Sequence, residues 1–313
     1  MRIIKLVSML ATINGPDFQQ EVQAAISGYF KETSLYDIDY IEHGNDNFVV
    51  IVNKQLVFRF PRSEPKARRI AFETAILQKT KDRISVVQTP ELVQVHMAPL
   101  YLVSKYVDGE HFTSDQIKAL SEADQQVVGA RIAEFIFQFN QAISGLEVRR
   151  LRTESGVDSL EEPWPTYFVR LFEGTQLPND TLRPVVAQYY PLWKDYALHE
   201  QNNYAIHDDL HLANLLFSGN KLSGVVDFGD TNCGSIESEL RWLYLMGETV
   251  VRAAVDRYQS LSGVQLNHDH IRVWAIMHEL STFTDRLAKQ QTEVFPFKRA
   301  QQNLRNWIPS FPL

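Results

Sequence analysis

Ala205-Ile206-His207-Asp208-Asp209-Leu210-His211-Leu212-Ala213-Asn214, followed by Val225-Val226-Asp227-Phe228-Gly229-Asp230, decides the reading of this chain. The first stretch holds an H-x-D-x-x-x-x-N pattern. The second is an apolar strand running into D-F-G. Phosphoryl transfer of the kinase type needs these parts in this order: one carboxylate to orient the attacking hydroxyl, then an amide and a second carboxylate to hold magnesium against the polyphosphate. Either pattern alone arises easily by composition. Their pairing is far rarer, because Asp227 comes only thirteen residues after Asn214. The residues between read as a hairpin: an apolar arm from Leu215, a Gly219-Asn220 turn and a second arm ending at Val226.

Upstream of these motifs the pattern falls into two regions. Residues 17–30 have helical spacing, with Phe18, Val22, Ile26 and Phe30 on one face. Residues 37–42, 48–53 and 55–60 read as strands, with Asn53-Lys54 as a tight turn between the last two. Ser63 is a candidate N-cap and Pro65 an early residue of the next helix. Two more strands fall near 92–96 and 100–106. Asp108-Gly109 breaks the pattern. Helix is expected over 114–120 and 122–143, before His199, and from Glu237 onward, with a variable region through Pro163-Trp164-Pro165. The expected fold class is α+β: a small antiparallel-sheet N-lobe with one helix, residues 1–107, and a larger, mainly helical C-lobe, residues 108–313. No internal repeat or low-complexity tract interrupts it.

Composition narrows the function classes. At 313 residues the chain is long enough for two cores, and 44% hydrophobic with 22% charged residues describes an ordinary globular protein. A single cysteine, Cys233, excludes an intramolecular disulfide and fits a reducing cytoplasm. No stretch approaches the roughly 18 apolar residues of a membrane span. The short, broken apolar run at Met1–Ala11 lacks a cleavage site and is not expected to be a leader. A net charge of −7 argues against nucleic acid as a partner and suits a cationic ligand, although mild acidity also serves solubility alone.

The chain resembles the aminoglycoside phosphotransferases, within the kinase-like small-molecule phosphotransferases, from about residue 41 to residue 241. The resemblance rests on the two motifs above and on three further stretches. Glu42-His43-Gly44-Asn45-Asp46-Asn47-Phe48 resembles the family's nucleotide loop. Leu56-Val57-Phe58-Arg59-Phe60-Pro61-Arg62 is similar to its third strand, and the segment from Tyr101 to Gly109 to its hinge. The run G-x-D-N, V-N, V-F-x-F-P is nearest to the enzymes acting at a 2''-hydroxyl. Arg59 stands where many relatives use lysine; its fork still suits phosphate. Asp208 replaces a usual glycine, Glu239 a common aspartate and Ile236 a common proline.

The resemblance implies a protein-kinase-like bilobal fold and a magnesium-dependent transfer of the γ-phosphate of ATP or GTP, with two magnesium ions, to a hydroxyl of a small, cationic molecule such as an aminoglycoside. A macrolide, choline, homoserine or sugar acceptor stays open, as does a non-catalytic nucleotide-binding role. Asp209 is the expected base, though a turn cap would also place a carboxylate there. Asn214 and Asp227 are the expected metal ligands. Arg59 is expected on the phosphates and paired with Glu73, which an ordinary strand-to-helix ion pair would equally explain. Asn45 and Asn47 would cover the phosphates, and Ser104, Tyr106 and Val107 would offer backbone groups to the purine. Asp208, Asp230, Glu237 and Glu239 form the expected cation-binding cluster; Glu237 and Glu239 would also suit a helix N-terminus. His207 is expected to be structural. Glu279, Asp285 and Trp274 fall on a C-terminal helix that could wall the substrate site, although a solvated face is the more ordinary reading of its acids. The nucleoside triphosphate and the acceptor are the expected partners of a cytoplasmic monomer or weak dimer, with no membrane.

Overall fold

Five strands and the turn chemistry between them build the first layer. The computed structural model describes residues 18–29, 37–41, 46–97, 100–159, 162–174, 177, 179–197, 199, 201 and 203–312. Helix α1 (Phe18–Ser27) precedes strands β1 (Ile38–Ile41), β2 (Asn47–Val52) and β3 (Leu56–Pro61). Asn53 and Lys54 both have positive φ, 55° and 49°, and Gln55 N–H closes on Val52 O. That is the type I′ geometry, whose twist matches a hairpin. Helix α2 (Glu64–Thr80) follows, with Ser63 at the N-cap position and Pro65 in its first turn; the Ser63 hydroxyl makes no capping bond. Strands β4 (Leu92–Met97) and β5 (Leu100–Lys105) complete an antiparallel sheet in the order β1-β2-β3-β5-β4.

Strand alternation divides this sheet into two faces. Val50, Val52, Phe58, Phe60, Tyr101 and Val103 bury one face under Val22 and Ile26 of α1. The register sets Val49 opposite Arg59, Val57 opposite Ser104 and Arg59 opposite Leu102. Those residues therefore share the other face, which looks into the space between the lobes. Helix α2 carries Phe72, Ile76 and Leu77 into the main core, which continues without a break into the second lobe.

The passage between lobes is shaped by one close approach. Gly109 has φ 146°, and a Cβ there would meet Leu216 Cβ and Ser223 Oγ at 2.9 Å. Only glycine fits both constraints. Helices α3 (Ser114–Ala119), α4 (Glu122–Ala142) and α5 (Gly145–Ser155) follow, then α6 (Trp164–Phe172) and α7 (Arg183–Ala197). Strand β6 (Tyr204–Ile206) later pairs with β9 (Asn232–Gly234), and β7 (Leu215–Ser218) pairs with β8 (Lys221–Val225) as the expected hairpin. Helices α8 (Ile236–Leu240), α9 (Glu248–Ser262), α10 (His268–Ala288) and α11 (Phe295–Trp307) end the chain. Among the described residues no helix is long and apolar enough to cross a membrane.

Two helices fell where sequence reading saw no regular element. Helix α5 is capped by Ser144, whose side chain accepts from Glu147 N–H. That Ser-x-x-Glu signal was present in the sequence. Helix α6 begins at Trp164-Pro165, so the apparent breaker is a first-turn proline. Phe168 of α6 is fully buried against Trp193 and Trp274, in a second core formed with α7, α10 and α11.

Candidate active site

The motif residues meet in a cleft of about 850 Å³ between the lobes. Its foundation is a loop pinned from behind. Strand β6 delivers His207, which is fully buried. The His207 Nε2 lies 3.1 Å from Val226 O, and its ring packs on Phe135 and Phe228. Burial holds its pKa down, so the imidazole is neutral. Glu239 accepts from two successive backbone N–H groups, His207 and Asp208, both at 2.9 Å.

Asp208 adopts φ 64°, the left-handed region. This explains why glycine suits the position, and aspartate is among the few side chains that tolerate it. Its carboxylate is held by Arg241 at 2.7 Å and Asn232 at 3.1 Å, while Arg241 and Trp242 both donate to its carbonyl at 2.8 Å. Arg241 is itself buried.

The fixed loop turns Asp209 into the cleft. Asn214 Nδ2 donates to Asp209 O at 2.8 Å and to Oδ2 at 3.0 Å. His211 Nδ1 accepts from Ala213 N–H, which leaves the proton on Nε2, 3.3 Å from Asp209 Oδ1. Burial alone would raise the Asp209 pKa; the hydrogen bond from His211 and then Arg241 offset it and hold the carboxylate below its ordinary value.

The opposite wall carries the phosphate and metal candidates. Arg59 ion-pairs with Glu73 and lies 3.6 Å from Asp227. Burial works against the charge on Arg59, but Glu73 and Asp227 more than offset it and raise its pKa. Glu73 also accepts from Phe228 N–H at 3.2 Å, so one carboxylate ties the strand to the D-F-G turn. Asp227 sits at φ 66° with its side chain 49% exposed to the cleft. The amide nitrogen of Asn214 is spent on Asp209, which leaves its Oδ1 for a ligand. Two oxygen donors lining one cleft fit magnesium, which completes its shell with phosphate and water. Asp230 lines the same cleft, ion-paired with Arg69; burial pushes its carboxyl up to about 7 despite that partner. Asn47 also lines the cleft, and its Oδ1 is buried without a hydrogen-bond partner. Asn45 lies outside the described residues.

Several sequence expectations need correction. Glu239 is 1% exposed and faces backbone rather than a ligand. Glu237 points away from the cleft and accepts from Asn267 N–H at the start of α10. Asp208 lines the cleft but is already neutralised by Arg241. Tyr106 and Val107 line a different groove of about 1050 Å³ behind the hinge, and Tyr106 N–H is taken by Gln55 O at 2.8 Å. Ser104 alone of the three lies on the cleft face of the sheet. Helix α10 is largely buried rather than a solvated face: Glu279 pairs with Arg299 in the interior at 3.3 Å and Trp274 is core. Its Asp285, however, lines the cleft.

Sequence reading missed the far side of the cleft, made by Trp164 and Tyr167 of α6, by Trp242, and by Ser281 and Thr282 of α10. No local spacing links these segments; helix packing brings them together.

A model of the phosphotransferase enzyme family matches residues 37–280. Among solved structures, the GDP and kanamycin complex of APH(2'')-IIia superposes with a TM-score of 0.71 at 17% identity, covering 93% of this chain and 99% of that one. The streptomycin–ATP ternary complex of APH(2'')-IIa gives 0.60 at 18% identity, covering 90% and 97%. Macrolide 2'-phosphotransferase MphH from Brachybacterium faecium gives 0.62 at 14% identity, covering 93% and 98%. At such identities the likeness is one of fold.

Proposed function

Because the chain belongs to the phosphotransferase enzyme family, we propose that this phosphotransferase moves the γ-phosphate of ATP or GTP to a hydroxyl of a small molecule, with Asp209 as the base. The observation that carries the reading is the convergence of Asp209, Asn214, Asp227 and Arg59 on one cleft. The acceptor hydroxyl donates to Asp209, which aims its oxygen at phosphorus. That oxygen attacks the γ-phosphorus, the bond to the β-phosphate oxygen breaks, the nucleoside diphosphate leaves, and the hydroxyl proton passes to Asp209. Arg59, fixed by Glu73, presents its guanidinium to the phosphates. Magnesium, held by Asn214 Oδ1 and Asp227, would neutralise charge building on the phosphate oxygens. Both purines occur in the solved relatives, GDP in one and ATP in another.

The reading of the chain as a scaffold without activity has less support, because the base, amide and carboxylate are all intact and mutually oriented. The cationic acceptor suggested by four neighbouring acids also loses its basis. Arg241, Arg69, Asn267 and the backbone already engage Asp208, Asp230, Glu237 and Glu239.

The test is nucleoside-diphosphate release with magnesium and ATP or GTP, across aminoglycosides, macrolides, choline, homoserine and neutral sugars. Acceptor-dependent release that Asp209→Ala abolishes is the expected result. Release unchanged in that variant would remove Asp209 from the role of base.

A further inference from the structure

One wall of the cleft is aromatic from the reaction centre to the rim. His211, hydrogen-bonded to Asp209, meets Trp242 with ring centroids 5.3 Å apart. Trp242 meets His278 at 4.4 Å, His278 meets Trp164 at 4.7 Å, and Trp164 meets Tyr167 at 5.8 Å. All four contacts are edge-to-face, so the rings form a stepped surface rather than a stack. His278 is buried within it and neutral: burial, and then Arg241, keep its pKa well below the ordinary value. Among the described residues two cations lie against these rings, and both are paired: Arg241, with its guanidinium carbon 4.9 Å from the Trp242 centroid, holds Asp208, and Arg170, 5.0 Å from the Tyr167 centroid, holds Glu162.

The acids around this wall are also engaged. Among the described residues lining the cleft, Asp158 pairs with Arg152 at 2.9 Å, Glu162 with Arg170 at 2.8 Å and Asp285 with Lys289 at 2.9 Å. Asp46 pairs with Lys66 at 2.5 Å, and Asp208 and Asp230 have the arginine partners described above. Only Asp209 and Asp227 remain, and both have work in the transfer itself. A polycation would have to displace an existing partner at each of the other acids. Thr282 adds an uncharged hydroxyl to the lining, whereas the Asn232 amide is held by Asp208 and Cys233 N–H and the Ser281 hydroxyl by His278 O.

We infer that the acceptor is an uncharged polyhydroxylated molecule with an apolar C–H face, such as the ring of a neutral glycoside, laid against Trp164, Tyr167 and Trp242. This inference rests on the phosphotransfer reading above. An amphipathic ligand of this kind suits a wall where ring surface lies beside paired charges and a free hydroxyl-bearing side chain.

The test compares maltose and an alkyl glucoside with kanamycin, by calorimetry on the full chain saturated with magnesium and the nucleoside diphosphate. An uncharged probe is expected to bind more tightly than kanamycin, with little dependence on salt, and to be phosphorylated when ATP or GTP replaces the diphosphate. Trp164→Ala should weaken it about tenfold or more, with nucleotide affinity unchanged and Trp164→Phe recovering most of the loss. Kanamycin binding more tightly than either uncharged probe, and weakening with salt and in Asp285→Asn, would overturn the inference and leave phosphotransfer standing. Failure of both classes to bind would also overturn it. Absence of phosphorylated product with every acceptor would strike at the underlying reading instead.

Discussion

The two sides of the cleft are built by different means. On the nucleotide side, charged groups converge through short covalent spacing and paired strands: Asp209 and Asn214 share one loop, and Arg59 faces Glu73 on the next helix. On the acceptor side, rings from α6, from the turn after α8 and from α10 meet through helix packing alone. The lesson is that the proposed catalytic groups are fixed locally while the proposed acceptor surface is assembled globally. Loss of a single group should therefore cost rate on the first side, and affinity for the acceptor alone on the second.

Removing a metal candidate should give the largest effect. Asp227→Ala is expected to lower kcat on the order of 10³-fold, the several kcal/mol that a positioned cation supplies, while acceptor affinity in the presence of nucleotide changes little. Initial rates across a magnesium titration check it, with partial recovery at high magnesium. A change confined to acceptor affinity would erase the proposed division.

Arg59→Ala should come next. It leaves Glu73 buried without its cation, which costs about 3–5 kcal/mol, and it removes the guanidinium aimed at the phosphates. Urea unfolding and nucleotide affinity should fall together. A stable variant with weakened nucleotide binding would mean the pair serves the ligand only.

Glu239 supports the nucleotide side from beneath and carries a pH signature. Its folded pKa is pushed up to about 7 by burial, above an ordinary 4.5. The folded state thus binds the extra proton, so this contribution is full below about pH 4.5 and fades as pH rises through 7. Across that window stability falls by roughly 3 kcal/mol at most. Asp230 adds a slope of the same sign, so the readout is the difference between the wild type and Glu239→Gln, whose curve should be flatter.

The smallest effect belongs to the acceptor rim. Lys289→Ala removes an exposed i,i+4 partner of Asp285 and should change stability by about 0.3–0.5 kcal/mol. A loss above that, by thermal unfolding, would mean the rim pair is structural.

The same contrast explains what was legible in the sequence. The strands, the Asn53-Lys54 turn and the hairpin around Gly219 were readable because alternation and turn residues act over a few positions. The convergence of Asp209, Asn214 and Asp227 was readable because one loop and one hairpin connect them. Glu237 and Glu239 looked like ligands because they follow the metal loop closely; burial at the start of α8 turned Glu239 inward and Glu237 aside. Trp164 sat beside prolines that mimic a breaker, and nothing in its neighbourhood encodes its meeting with His278. The hinge misled for another reason: strand pairing carried the Tyr106 N–H to Gln55, an outcome of register that residue type does not reveal.

Asp208 and Asp209 are adjacent acids with opposite surroundings, and they test the central claim most directly. The measurement is kcat, nucleotide affinity and unfolding free energy for Asp209→Asn and Asp208→Asn side by side. Asp209→Asn should lose about 10²–10⁴ in kcat while folding and nucleotide binding stay near wild type. Asp208→Asn should keep kcat within about tenfold and lose stability, by up to about 3–5 kcal/mol, because Arg241 remains buried without its charge partner. The reverse pattern, with rate lost at Asp208 and retained at Asp209, would contradict the account.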